Sequence, residues 1–348
     1  MMLTRRWVGL ALATAVSTAG LAGAVPSARA QEASYKGQTL TILVGYPPGA
    51  AYDAYARVIA RHMGRHLAGN PNIVVQNMPG AGSLTAANHL YNNAAKDGTV
   101  IGTFSRGMPM QPLFDEQGVR FDPLKFSWIG SAASEVSLAI AWHQKPFKKF
   151  EDLREREMTM AGTAPGADTV IFPTALNAVL GTRIKVVTGY RGAADALLAV
   201  ESGEADGAGG ISWSTLATSK REWLADKKVT FLVQLALKAR PDLKDVPLVI
   251  DLARNEDERR VLELIFARQE IAYPFAAPPG IPAERLALLR KAFADTLADK
   301  EFLAEAERSG MTISPMGGDE VRDLLARIFA SPPDVISRAR AAIGGKTN

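Results

Sequence analysis

The chain has 348 residues, 40 basic and 36 acidic side chains, a formal net charge of +4 and no cysteine. Without cysteine there are no disulfides, thiolate nucleophiles or cysteine-ligated metals. A charge so near balance, with no dense basic block, argues against nucleic acid as a partner.

The first thirty residues read as an export signal. Arg5 and Arg6 precede an apolar stretch from Trp7 to Val25, and Ala28-Arg29-Ala30 has the small-x-small form of a cleavage site. The stretch is rich in Ala, Gly, Ser and Thr and ends at that site, which favours cleavage over a membrane anchor. No later segment carries the long apolar run of a membrane span. Thr4-Arg5-Arg6-Trp7 leaves the twin-arginine route open beside the general one. Cleavage after Ala30 removes three arginines and no acid, so the formal charge falls from +4 to +1. The remaining residues, 31–348, suffice for about two domains.

From residue 39 onward short apolar runs alternate with helical stretches, the pattern of an α/β protein with largely parallel sheets. Strand Thr39–Gly45 leads through Pro48-Gly49-Ala50 to a helix near Asp53–Leu67. Ala56, Ile59, Ala60, Met63 and Leu67 share one face of that helix, and Arg57, Arg61, His62, Arg65 and His66 a solvated basic one. Strand Ile73–Gln76 then meets Pro79-Gly80-Ala81 and a helix capped by Ser83. A third strand, Val100–Phe104, ends near Arg106. Trp128–Trp142 is apolar and long enough to cross from one domain to another. Met158–Ala161 opens a third unit through Pro165-Gly166-Ala167, and Ile184–Thr188 leads through Tyr190-Arg191-Gly192 to a helix over Ala193–Ser202. Phe231–Leu235 and Ile271–Ala276 are further strands. From Pro282 to Ile343 the chain reads as helices packed on the outside.

The three Pro-Gly-Ala triplets are the most telling feature. Pro and Gly stop a strand and let the backbone turn tightly. The helix that follows aims its free N–H groups and positive dipole end at whatever occupies the turn, which attracts anions without a charged side chain. The bland alternative is that Pro and Gly only punctuate the junctions. Recurrence at three junctions, at the carboxyl ends of strands where open α/β sheets bind ligands, favours a carboxylate pocket built mostly of backbone. Asp53 is placed to cap the first helix or accept from a ligand donor. Arg106 and Arg191 can each grip a carboxylate with two hydrogen bonds, and Arg191 is favoured by its Gly-flanked turn.

Catalytic signatures are missing. There is no G-x-S-x-G elbow. His62 and His66 have the i, i+4 spacing of metal ligands, but Arg57, Arg61 and Arg65 share their face and repel a cation. Gly80-Ala81-Gly82-Ser83 is not completed as a phosphate loop, because no Gly-Lys-Ser/Thr follows and Thr85 stands at the last glycine of a G-x-G-x-x-G. The expectation is no enzyme, no cofactor and no metal.

A resemblance emerges from these segments. Tyr46-Pro47-Pro48-Gly49-Ala50-Ala51-Tyr52-Asp53 with Ala56-Arg57 resembles the opening motif of the tripartite tricarboxylate transporter receptors, the Bug or TctC family. Asn77-Met78-Pro79-Gly80-Ala81-Gly82 is similar to that family's N-x-P-G-A-G loop. Ala95–Thr99, Tyr190-Arg191-Gly192 with Ala196–Leu198, Gly203-Glu204 and Asp206, and Ala276–Pro282 resemble its later motifs, in the same order. The resemblance implies a two-lobed type II periplasmic binding protein, with a mixed, mostly parallel sheet in each lobe and the ligand between them. It implies lobes of residues 31–138 with 272–348, and 139–271, the second crossing lying near 268–274. The implied role is capture of a small di- or tricarboxylate or an aromatic acid and delivery to a tripartite-type permease, as a monomer in the periplasm. A receptor for a sensor kinase, a secreted enzyme and a purely structural module are the alternatives.

The pocket residues so expected are Tyr46, Pro48, Gly49, Ala50, Ala51, Tyr52, Asp53, Gly80, Ala81, Gly82, Ser83, Arg106, Thr163, Gly166, Ala167, Asp168, Thr169, Tyr190 and Arg191. Ala50, Ala51 and Tyr52 depart from the family's small glycines and threonine, and Tyr52 adds a ring. Asp168 is an added acid, expected to cap its helix or to read a ligand hydroxyl or ammonium.

Overall fold

The computed structural model describes residues 34–344 except 115, 116 and 165. The export signal, the cut after Ala30 and Pro165 of the third triplet lie outside the described residues. Among the described residues no helix is long and apolar enough to cross a membrane.

Eleven strands are described: β1 (Thr39–Val44), β2 (Asn72–Asn77), β3 (Val100–Thr103), β4 (Ser127–Ser131), β5 (Ser137–Trp142), β6 (Met158–Ala161), β7 (Ile184–Val187), β8 (Gly207–Ser212), β9 (Val229–Leu235), β10 (Pro274–Ala277) and β11 (Met316–Gly317). They form two sheets, ordered β11-β4-β10-β3-β1-β2 and β7-β6-β8-β5-β9. The α/β architecture of two mixed sheets agrees with the sequence reading. In the first sheet β1 pairs in parallel with β2 and β3, and in the second β6 pairs in parallel with β7 and β8. Strands that carry the chain between the sheets, β4, β5 and β10, pair antiparallel, which makes the antiparallel share larger than strand–helix alternation alone implies.

The run Trp128–Trp142 divides into β4 and β5, one in each sheet, with residues 132–136 between them. The return passes through a 3-10 turn, Ala267–Ile271, into β10. These two crossings lie side by side and are tied by backbone hydrogen bonds, Ala132 N to Tyr273 O at 3.0 Å, Ala272 N to Ala133 O at 2.9 Å and Glu135 N to Gln269 O at 2.8 Å. Buried amides here are thus satisfied, as a segment inside the protein requires.

One hydrophobic cluster is common to both sheets: Phe104, Phe126 and Trp128 belong to it with Met158, Phe172, Leu176 and Phe266. The last helix, Pro333–Ala342, joins this cluster through Val335, Ala339 and Ala342 rather than lying outside it. Its Arg340 donates to the carbonyl of Leu113 at 2.9 Å. The face of the first helix expected to be solvated is partly covered, with Arg57, Arg61 and Arg65 still exposed. His62 Nε2 lies 2.6 Å from Glu305, and His66 and Arg65 meet Asp299 at 3.0 and 2.6 Å, so the helix Lys300–Arg308 brings its acids onto that face.

The helix Asp168–Leu180 lies directly on β8, and this explains the small residues of Gly207–Ile211. A Cβ on Gly209 would stand 2.5 Å from the Pro173 ring, and one on Gly210 would collide with the carbonyl of Asp168. Gly210 also has φ +73, a conformation side chains disfavour. Gly210→Ala is expected to cost about 2–4 kcal/mol from strain and collision together. Chemical denaturation checks this, with the midpoint falling and the slope unchanged.

Candidate functional site

The loops of the first sheet are tied together before any ligand is considered. The first helix, Ala51–Met63, begins after Ala50, which has no capping side chain. Asp53, 2 % exposed, instead turns back on the loop and accepts from Gly49 N at 2.8 Å, Arg57 Nε at 2.9 Å and Asn77 Nδ2 at 2.8 Å. Asn77 also donates to the carbonyl of Tyr46 at 2.9 Å, which joins the first two loops. Burial alone would raise the Asp53 carboxyl, but the hydrogen bonds from Arg57, Gly49 and Asn77 outweigh it and hold it below its usual value. Its acceptor capacity is used within the protein.

The second loop is strained. Gly80, Ala81, Gly82 and Ser83 follow one another with φ of +145, +45, +62 and +85. At Ala81 and Ser83 a left-handed backbone costs roughly 1–2 kcal/mol each. Ser83 was expected as a helix cap, but it makes no capping bond. Its buried hydroxyl donates to Gly45 O at 3.1 Å and accepts from Ser105 N at 3.2 Å. One side chain so fixes the ends of β1 and β3 against the second loop. Gly80, Ala81 and Gly82 remain exposed, as do Pro48, Gly49 and Ala51.

Tyrosines connect these loops to the crossings. Tyr46 stacks on Tyr52 at 4.6 Å and 5°, Tyr52 tilts against Tyr273 at 5.1 Å, and Tyr273 stacks on Tyr55 at 3.7 Å. The Tyr52 hydroxyl accepts from Arg106 N at 2.9 Å. Burial pushes the Tyr52 hydroxyl well above its ordinary value and that of Tyr273 up to about 12, so both keep their protons.

A cavity of about 640 Å³ opens between the loops that follow β1, β6 and β7. It brings together Tyr46, Thr163, Ala167–Thr169, Tyr190 and Arg191 of the expected residues, with Ala164, Thr188, Gly189, Gly192 and Ala193. The helices Asp168–Leu180 and Ala193–Glu201 both start at its wall, and neither has a capping side chain. Their first N–H groups lack intrahelical partners and favour an anion. Thr169 Oγ1 accepts from Thr163 N at 3.0 Å and meets the Thr163 hydroxyl at 2.8 Å, closing the third loop over its helix. Pro48–Asp53, Gly80–Ser83, Arg106 and Gly166 are not among the residues that line it.

Two charged residues behave otherwise than expected. Arg191, 91 % exposed in its side chain, pairs with Asp195 of the helix that follows it at 2.7 Å. Asp168 neither caps its helix, whose N-cap is Ala167, nor stands free. Its carboxylate accepts from Arg106 Nε at 2.8 Å and from Arg268 Nη1 at 3.2 Å. Burial would raise the carboxyl, yet the charges of Arg106 and Arg268 prevail and hold it below the usual range. Arg106 further reaches the hydroxyls of Ser137 and Ser212 at 3.4 and 3.3 Å. Arg268 is the residue that sequence reasoning missed. Its place in Arg268-Gln269-Glu270, a polar triplet between the apolar segments 264–267 and 271–277, was the available signal, since a buried charge requires a partner.

No protein-family model matches the chain. Among curated proteins it is 27% identical over 241 residues to a UPF0065 protein of the tcbD–tcbE intergenic region of a Pseudomonas species, covering 67% of this chain and 69% of the relative. It is 28% identical over 318 residues to a UPF0065 protein of Agrobacterium vitis, covering 83% and 87%. Among solved structures it superposes on a TctC solute-binding protein from Polaromonas with TM-score 0.67 at 18% identity, over 87% of this chain and 99% of that one. The periplasmic binding protein BugD gives 0.64 at 20%, over 89% and 99%. The chain has the fold of the TctC and Bug solute-binding proteins. That fold is what the motif resemblance implied. MatC of Rhodopseudomonas palustris, solved with malate, has the same fold with TM-score 0.61 at 21% identity, over 88% and 98%. A second R. palustris protein, solved with adipate, gives 0.64 at 17%, over 86% and 97%.

Asp53→Ala removes the acceptor of three donors in the first two loops and is expected to cost about 2–4 kcal/mol at pH 7. The sign with pH follows from the lowered carboxyl. The stabilisation is complete above the unfolded-state value near ~4 and is lost as pH falls through the folded-state value. Denaturant midpoints of wild type and Asp53→Asn should therefore be separated at pH 6 and draw together as the pH falls below about 4.

Proposed function

We propose that this chain is an exported solute-binding protein that captures a small carboxylate between two lobes and delivers it to a tripartite tricarboxylate-type permease. The observation that carries the reading is the cavity into which two helix N-termini open with no capping side chain at either. Backbone N–H groups there offer directed donors and positive potential, suited to a carboxylate. The occurrence of malate and adipate in structures of the same fold supports the class of ligand. The lobes in this reading are residues 31–138 with 272–348, and 139–271, hinged at the paired crossings. The site is the set of expected residues that line the cavity, Tyr46 being the contribution of the first loop. No chemistry on the ligand is part of the reading, and the place of action is the periplasm.

Thermal melts of the purified protein with a panel of carboxylates test this. A ligand at a hundredfold excess over its Kd adds about 2.7 kcal/mol, a rise in Tm on the order of 5 °C for a chain this long. A flat panel over well-folded protein would remove the carboxylate reading. Tyr46→Ala should raise the Kd of the best ligand by roughly tenfold through loss of ring contact, with little change in the Tm of the free protein. The permease half is checked separately, by whether cells lacking this chain lose uptake of that acid.

A further inference from the structure

The cavity has a charge pattern that points to one kind of carboxylate. Of the residues that line it, Asp168 and Arg191 carry charge, and Arg191 is turned to Asp195 at the surface. The remaining wall is Tyr46 and Tyr190 with threonines, alanines and glycines, and the Tyr46 ring is backed by Tyr52. Cations lie behind Asp168 rather than in the cavity. Arg106 and Arg268 have side chains 11 % and 5 % exposed, and both direct their donors at the Asp168 carboxylate. Arg268 is further enclosed by the rings of Phe114 and Phe172, at 5.9 and 6.0 Å from their centroids. A ligand carboxylate can reach neither guanidinium without displacing Asp168.

We propose that Asp168 is a built-in carboxylate that determines specificity, so that the cleft accepts a monocarboxylate with an uncharged, planar or apolar body and rejects diacids. The inference rests on the carboxylate reading above and names its substrate class. The N-terminus of the helix Ala193–Glu201 takes the ligand's single carboxylate. Its other end meets the Tyr46 ring and small side chains, where a second carboxylate would lose water and find both guanidinium groups already engaged by Asp168. Removing the Asp168 carboxylate frees two enclosed guanidinium groups, which then attract an external carboxylate in its place.

The test uses matched pairs, benzoate against terephthalate and hexanoate against adipate, titrated calorimetrically into wild type, Asp168→Ala and Asp168→Asn. Wild type is expected to bind the monoacid of at least one pair about tenfold or more tighter than its diacid, since the second carboxylate is desolvated with no free cation to receive it. Asp168→Ala should reverse that ratio, chiefly by a tighter diacid. Asp168→Asn, close in size to the native residue, supplies the same comparison if the alanine variant does not fold, with the ratio moving in the same direction. Equal or tighter diacid binding by wild type, or an unchanged ratio in the folded variants, would overturn the inference while leaving the carboxylate reading intact. Binding of neither acid in either pair to folded wild type would overturn both.

Discussion

The carboxylate of Asp168, held between two arginines, is the contact on which the rest of the arrangement depends. Arg106 follows β3 in the first sheet, Asp168 starts a helix of the second, and Arg268 lies in the return crossing. Three separate stretches of backbone meet at a single side chain. Buried ions are costly to desolvate, and such a group persists only when its partners are placed well enough to compensate. Much of the placement is secured by neighbours: Ser137 and Ser212 accept from Arg106, Tyr52 accepts from its backbone, and Gly107 leaves room for Arg268, a Cβ there standing 3.0 Å from the guanidinium, although Arg268 Nε is buried with no hydrogen-bond partner. Removing one member would leave an uncompensated charge, typically a loss of about 3–5 kcal/mol.

Strain and satisfaction are distributed unevenly around the cleft. On the first sheet the loops are over-determined, with Asp53 and Asn77 each engaging one backbone group and two side chains and Ser83 two backbone groups. That network is what allows Ala81 and Ser83 to keep left-handed conformations. On the second sheet the loops after β6 and β7 are simpler, and their helices begin uncapped. The loops of the first sheet are thus fixed by their own bonds, while those of the second keep helix N–H donors in reserve.

Much of this was legible in the sequence where the signal is local. Pro48-Gly49-Ala50 and Pro79-Gly80-Ala81 stand after β1 and β2 as read, because Pro and Gly end strands for backbone reasons that need no tertiary context. The first crossing was legible as an apolar run long enough to pass between domains, and the second only through the family resemblance. What escaped was long-range pairing. Asp168 lies 62 residues from Arg106 and 100 from Arg268, and nothing in the local pattern of any of the three names the others. Ser83 shows the same limit at short range. Its position before a helix favours a cap, but Gly45 and Ser105, both distant in sequence, compete for the hydroxyl and win. Tyr52, an anomaly against the family motif, is explained by rings that sequence could not place beside it.

The shared hydrophobic cluster has a consequence for how the molecule comes apart. A chain with two sheets joined by two narrow crossings is ordinarily expected to melt in two steps, one per half. Here Phe104 and Trp128, beside and within the first sheet, belong to the same packed cluster as Phe172 of the helix on the second, and the final helix lies in it. Each half also keeps a cluster of its own, around Leu40, Ile59 and Phe275 in one and Ile140, Leu197 and Trp223 in the other, but unfolding either exposes the shared cluster, so heat or denaturant should dismantle both in one cooperative transition.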